Sequence, residues 1–247
     1  EIDRSLAQGD LDQAVSLAGA YLRRRKIPLP LWEIKQTDAD DGREIRERAD
    51  LTMAGIVKEY GQAFVGRAAP WFDPPMTTLA RLPHLGPLML TWKSTGDDSY
   101  AQVALDIIRD YADHVPIALA KTTNESEWHS NPWHWCFINA RTTRLIDASR
   151  HLNDFSGFTD RDMVTIASVI VDEVDFGCQF MNLGLHWNGT FAQIKYILYS
   201  ALFLPDMVGT DRWLTQAIYL WDEFSRAYYY PDGAGIELAL VFASSFT

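Results

Sequence analysis

Apolar residues recur at helical spacing through most of the chain. Leu11, Ala14, Val15, Ala18, Tyr21 and Leu22 share one face, which predicts a helix over Asp10 to Arg24. Asp10 and Gln13 stand at capping-box spacing before it. The run Arg23-Arg24-Arg25-Lys26 suits a helix C-terminus facing solvent, with polyanion binding as the alternative. Ile27-Pro28-Leu29-Pro30 then breaks the helix. After an acidic loop, Asp38 to Asp41, the positions Ile45, Ala49, Met53, Ile56, Val57 and Tyr60 predict a second helix. Leu85 to Trp92 reads as helical, and Ser94 to Asp98 as a turn. Tyr100, Val103, Ile107, Ile108 and Tyr111 form a further stripe. Phe137 to Leu152 continues the pattern. Thr159 can cap a helix whose stripe is Met163, Ile166, Ala167, Ile170, Val174 and Cys178. Two more helices follow: an almost wholly apolar one, Phe191 to Leu204, and a one-sided one carrying Trp213, Ala217, Trp221, Phe224 and Tyr228. In the latter, Asp222 and Arg226 can pair across one turn. Gly66 to Pro75 and Lys121 to Pro132 read as loops.

No strand is expected before residue 235. The prediction is an all-α chain in which sequential helices pack as antiparallel hairpins. Such hairpins can build a bundle, a solenoid or a closed ring, and periodicity alone does not choose among them. The absence of near-identical repeats weighs against a solenoid.

Composition narrows the class. The 247 residues are enough for a sizeable core, and the net charge of −11 argues against a broad nucleic-acid-binding surface. No apolar run is long and charge-free enough to span a bilayer. Cys136 and Cys178 stand in no metal-binding spacing, and no His spacing matches a metal motif, so neither a metal nor another cofactor is expected. The two cysteines read as buried free thiols, with a disulfide as the alternative.

Two constellations could carry chemistry. Trp128-His129-Ser130-Asn131-Pro132-Trp133-His134-Trp135 puts aromatic rings beside polar groups in a Pro-broken segment. Trp133, His134 and Trp135 could therefore form a sugar-stacking wall, or the tryptophans could simply anchor a loop. The other runs from Leu185 to Glu237. It contains Trp187-Asn188 before the apolar helix, Phe203-Leu204-Pro205 at its end, Trp213 in the next helix, and Tyr230-Pro231-Asp232-Gly233 leading to Glu237.

This ordered set resembles the heparinase II/III-like family of polysaccharide lyases and the related alginate lyases. A weaker likeness reaches back through Arg141 to Arg144 and Thr95 to Ala101 as far as Arg81. Nothing before residue 75 is diagnostic. The resemblance implies an α/α toroid, incomplete over residues 1–247, that would be followed by a β-rich part beyond Thr247. It implies cleavage of a uronate-containing anionic polysaccharide by β-elimination, in the periplasm or after secretion.

Elimination needs donors on the uronate carboxylate, a base at the adjacent carbon and an acid for the departing oxygen. Asn188 matches the family's catalytic Asn, whose amide donates without adding a titrating group. A helix cap or the acceptor of an Asn-Gly-Thr sequon is the alternative. His186 could bind the carboxylate or relay a proton, and Trp187 could contact the sugar. Glu237 would order the site. Arg81, Arg141 and Arg144 could pair with uronate or sulfate groups, or form internal salt bridges. The family's Tyr, which serves as base and acid, falls at Phe242, which exchanges no proton; a substituted Tyr, an inactive homologue and a shifted local alignment are the three explanations. A non-catalytic carbohydrate-binding or assembly toroid is therefore the competing function. A toroid glycoside hydrolase would need two carboxylates across a cleft, and no pair stands out.

Overall fold

The computed structural model describes residues 1–27, 39–59, 62–65, 76–115, 133, 135–179 and 188–228. The described helices are α1 (Ile2–Ala7), α2 (Leu11–Arg24), α3 (Ala39–Met53), α4 (Leu85–Thr95), α5 (Asp98–His114), α6 (Trp135–Leu152), α7 (Asp160–Gln179), α8 (Asn188–Phe203) and α9 (Thr210–Tyr228). A 3-10 helix, Met76–Arg81, precedes α4.

Local chemistry accounts for the ends. Asp10 accepts from the Gln13 N–H at 3.0 Å, as its spacing predicts. Gly96 closes α4 in the left-handed conformation, and Asp97 caps α5 by accepting from the Ser99 N–H. Thr159 and Asp162 form a reciprocal capping box on α7. The Asp162 N–H donates to Thr159 Oγ1 at 3.2 Å, and the Thr159 N–H donates to Asp162 Oδ2 at 2.8 Å. Arg109 grips the same carboxylate through two N–H groups, at 2.7 and 2.9 Å.

Two expectations fail between residues 38 and 65. Helix α3 already begins at Ala39, so the acidic loop is in large part the helix's first turn. The helix then stops at Met53, and Gly55 takes φ +82, which no helix continues through. The β-branched Ile56 and Val57 instead open an antiparallel hairpin, β1 (Ile56–Glu59) with β2 (Gln62–Val65), in which Ile56 faces Val65. Helical spacing ran on past the break by coincidence. Apart from this hairpin the described chain is helical, in the α/α toroid arrangement.

Three hairpins make its wall. Helices α4, α6 and α8 lie side by side as an inner layer, each backed by its successor α5, α7 or α9 in an outer one. The inner helices run parallel. Near the start of α4, the Ala80 and Arg81 carbonyls accept hydrogen bonds from Arg141 and Arg144 in the middle of α6. Near its end, Trp92 meets Phe155 with ring centroids 5.8 Å apart, and Lys93 pairs with Asp154 at 2.7 Å. Helix α2 crosses the outside of α7, where Arg23 meets Asp160 and Arg161 meets Asp12. Gly19 allows the approach, because a Cβ there would overlap the Asp160 backbone. The C-terminal end of α2 reaches the α8–α9 turn, where the Tyr21 hydroxyl donates to Asp206 at 2.5 Å.

The apolar helix α8 is the more enclosed of the last pair. Gln193, Ile194, Tyr196, Ile197, Ser200, Ala201 and Phe203 are all buried, whereas α9 leaves Ile218 62% and Tyr219 61% exposed. The Asp222–Arg226 pair forms at 2.7 Å. Cys178 is a free, half-buried thiol, which burial pushes up to about 11.

At the centre, Arg141 is 0% and Glu173 3% exposed. Arg141 Nε donates to Glu173 Oε1 at 2.6 Å, and the Tyr111 hydroxyl donates to the same oxygen at 3.0 Å. Thr142 Oγ1 donates to Oε2 at 3.0 Å. The guanidinium also lies 4.8 Å over the Tyr111 ring. Removing one partner of such a pair strands the other charge in a dry interior. Glu173→Gln should therefore lower the unfolding free energy by about 3–5 kcal/mol in urea titrations. Asp222→Ala, which breaks an exposed pair, should leave the urea midpoint almost unmoved.

Candidate functional site

Because α6 and α7 are antiparallel, and α7 and α8 likewise, α8 enters the inner layer from the same end as α4 and α6. Phe191, near its start, packs on Trp221 and Phe224 near the end of α9, with centroids 5.5 and 6.1 Å apart. The inner helices open at Leu85, Trp135 and Asn188, and Leu85 lies against Arg144, Asp147 and Ala148, partway along α6. The opening N–H groups of a helix have no intrahelical partner and favour anions.

Asn188 is the first residue of α8. Further along, Lys195 and Tyr199 share a half-buried face of the helix. The Lys195 ammonium lies 6.0 Å from the Tyr199 ring centroid. From α6, Arg144, Asp147 and His151 join Leu85, Gly86, Met89 and Leu90 of α4 and Ala148 to line a groove of about 180 Å³.

The three arginines expected to meet an anionic ligand do come together, but in different states. Arg141 is wholly buried on Glu173 and Ala80, so it serves as an internal salt bridge and reaches no cleft. Arg144 is half-buried at the groove, where its Nη1 donates to the Arg81 carbonyl at 2.7 Å. Arg81 is half-buried, its guanidinium 4.8 Å from the Phe137 ring centroid. Arg81 and Arg144 are therefore the two of the three that are not wholly buried.

Trp133 is 2% exposed and is a buried anchor, not an open stacking face. It lines a different cavity of about 330 Å³ among α2, α5 and α7, with Val15, Val115, Asp172 and Glu173. Trp135 opens α6. His134, His186, Trp187, Glu237 and Phe242 lie outside the described residues, as do the Gly66–Pro75 and Lys121–Pro132 segments and the Tyr230–Gly233 turn. Among the described residues no group of three His, Cys, Asp or Glu side chains is placed to hold a metal ion. None of the described helices is long and apolar enough to cross a membrane.

Three ionisable groups at this wall carried no signal in the sequence pattern. His84 precedes α4 and is 2% exposed, and neither ring nitrogen has a hydrogen-bond partner. Burial and the nearby Arg144 charge lower it to about 3. Asp147 is raised to about 6 by burial, against the pull of Arg150 and Lys195. Burial lowers His151, helped by Lys93 and Arg150 and opposed by Asp154. Lys195 on α8 could have been noticed as a charge on an otherwise largely apolar helix.

His84 and Asp147 have opposite consequences for stability. The folded state holds fewer protons than the unfolded one at His84 between about pH 3 and the ordinary histidine value of 6.5. Its neutral form thus supports the fold above that window, and the support is lost as pH falls through it. At Asp147 the folded state holds more protons between 3.8 and about 6, so that contribution is lost as pH rises through the window. His84→Met should flatten the acid-side loss of stability, removing a slope of up to about 1.4 kcal/mol per pH unit. Asp147→Asn should steepen it. Urea midpoints measured across the acid range for both variants check the signs.

The sequence matches the family described as Heparinase II/III N-terminus over residues 1–246. Among solved structures, a heparinase III superposes with a TM-score of 0.74 at 14% identity, over 98% of this chain and 38% of that one. The heparan sulfate lyase HepC from Pedobacter heparinus gives 0.74 at 19% identity, over 99% of this chain and 40% of that one. A HepC mutant gives 0.76 at 18% identity, with 99% and 40% covered. At these identities the likeness concerns the fold, and the chain spans about two fifths of the length of those structures. No curated protein matches it by sequence.

Proposed function

The chain belongs to the heparinase II/III N-terminus family, and from that membership we propose that it is the toroid part of a polysaccharide lyase cleaving a uronate-containing anionic polysaccharide by β-elimination. The observation that supports this reading is the position of Asn188, the family-matched Asn, as the first residue of inner helix α8. A uronate carboxylate there would meet the Asn188 amide and the unpaired N–H groups of the first turn. Those donors stabilise the dianionic enolate formed when the neighbouring proton leaves. Arg81 and Arg144 would hold adjacent acidic groups on the polymer. His186 would hand on a proton or bind the same carboxylate. Glu237 would hold the arrangement in place, and Trp187, Trp135 and His134 would meet the sugar rings. Such a polymer is an extracellular material, which puts the protein in the periplasm or among secreted proteins.

The second reading is a toroid that binds carbohydrate without cleaving it. Phe242 supports it, because the ring offers no proton where the family pattern has a tyrosine.

The full-length protein, offered a panel of uronate polymers, should generate the ultraviolet absorbance of an unsaturated uronate. Asn188→Ala should lower kcat by about 10²–10³, as loss of an oxyanion donor does, with the fold unchanged by circular dichroism. Unaltered turnover in Asn188→Ala would remove this site from the reaction. Binding of the polymers with no new absorbance would establish the non-cleaving reading.

A further inference from the structure

The groove between α4 and α6 sets an apolar floor beside two polar side chains that the proposed reaction does not use. It measures about 180 Å³, with Leu85, Gly86, Met89 and Leu90 on one side and Asp147 and His151 on the other. Asp147 and His151 stand four residues apart on α6, so they share a face one turn apart. Asp147 Oδ1 is buried and accepts no hydrogen bond. A carboxylate in that state costs stability until a donor reaches it. Burial lowers His151, Lys93 and Arg150 act the same way and Asp154 opposes them, so the ring is uncharged at neutral pH. An uncharged imidazole offers one N–H donor. Gly86 keeps the floor open, because a Cβ there would meet nothing within 4 Å.

We propose that this groove is a subsite for the acetamido group of an N-acetylated amino sugar: its N–H donates to the Asp147 carboxylate, its carbonyl accepts from the His151 ring, and its methyl rests on Leu85, Met89 and Leu90. The inference rests on the polysaccharide reading of the same wall and names a second sugar type, beside the uronate, in the polymer. An acetamido group carries a donor, an acceptor and an apolar tip within one small planar unit, and the groove complements all three. A sulfate in its place would be repelled by the carboxylate and stripped of water by the floor. A bare hydroxyl would leave the floor uncovered. The last torsion of an Asp side chain is soft, so either oxygen can turn to a donor in the groove. Burial raises Asp147 to about 6, and above that value it is the charged acceptor that this contact needs.

The test uses the full-length chain and two oligosaccharides whose uronates have been reduced to neutral sugars, so that neither can undergo elimination. In one, the amino sugars carry an N-acetyl group. In the other, an O-acetyl ester stands in its place, which keeps the methyl and the carbonyl but lacks the N–H. At about pH 7.5, wild type should bind the N-acetyl form about tenfold more tightly, since a site built around a donor rejects the analogue without it. Asp147→Asn, whose amide carbonyl still accepts, should keep most of that preference. Asp147→Leu should lose it with the fold intact by circular dichroism, because an apolar group replaces a carboxylate short of donors. Gly86→Leu, which fills the groove without displacing protein atoms, should weaken both forms. Saturation-transfer NMR should show the acetyl methyl of the N-acetyl form in close contact with wild type and released in Gly86→Leu, a readout that a merely structural role would not move. Equal binding of the two forms by wild type, binding of neither, a preference that survives in Asp147→Leu, or unaltered binding in Gly86→Leu each overturns the inference. If native uronate polymers are still bound or cleaved in a parallel assay, only the inference falls. If they are neither bound nor cleaved, the polysaccharide reading falls with it.

Discussion

A buried charge pair sets the rotation of the ring wall. Arg141 on α6 and Glu173 on α7 share a dry interior with Tyr111 of α5 and the Ala80 carbonyl ahead of α4. Pairs of this kind add little net stability over apolar residues of equal size, since desolvation consumes most of the attraction. They do reject other arrangements, because any rotation of α6 that unpairs them leaves two charges without water. With Arg141 locked outward toward α7, helical geometry turns Arg144 and Asp147 toward the groove beside α4. The composition of the inner wall is thus decided by a contact that never touches it.

That wall also answers an apparent mismatch. A chain of net charge −11 is a poor general host for a polyanion. Yet Arg81, Arg144, Arg150 and Lys195 are grouped around one stretch of the inner layer. With screening over roughly 10 Å at ordinary salt, local cations outweigh distant acids. Most of the acidic surplus would be irrelevant to the proposed ligand at these cations.

The sequence spoke clearly where one-dimensional spacing and local capping decide the outcome. The stripe on α7, the Thr159 cap, the contrast between α8 and α9 and the Asp222–Arg226 pair all belong to that kind. It misled at Gly55, where a single left-handed residue redirected a pattern that could have continued as helix. Arg141 shows a different limit. Its spacing with Arg144 put both on related faces, but whether a guanidinium meets a ligand or a buried acid depends on Glu173, which lies on another helix. His84 and Asp147 were silent for the same reason, since their character comes from what tertiary packing withholds from them. Trp133 likewise reads as a sugar platform until the elements that bury it are in place.

The α2 contacts bear on how the molecule is assembled during synthesis. Helix α2 is made well before the segments it covers, since it docks on α7 through Arg23 and Asp160 and on the α8–α9 turn through Tyr21 and Asp206, the latter 185 residues downstream. Its amphipathic stripe therefore has no native surface to cover while the ribosome is still extending the middle of the chain. The early segment must wait, exposed, and its docking fastens the first part of the polypeptide across the last described hairpin. Contacts of such long sequence separation form late and slowly, because closure of the intervening chain must precede any gain from them. Vectorial synthesis thus leaves the α2 stripe without its α7 and α8–α9 partners until both have emerged.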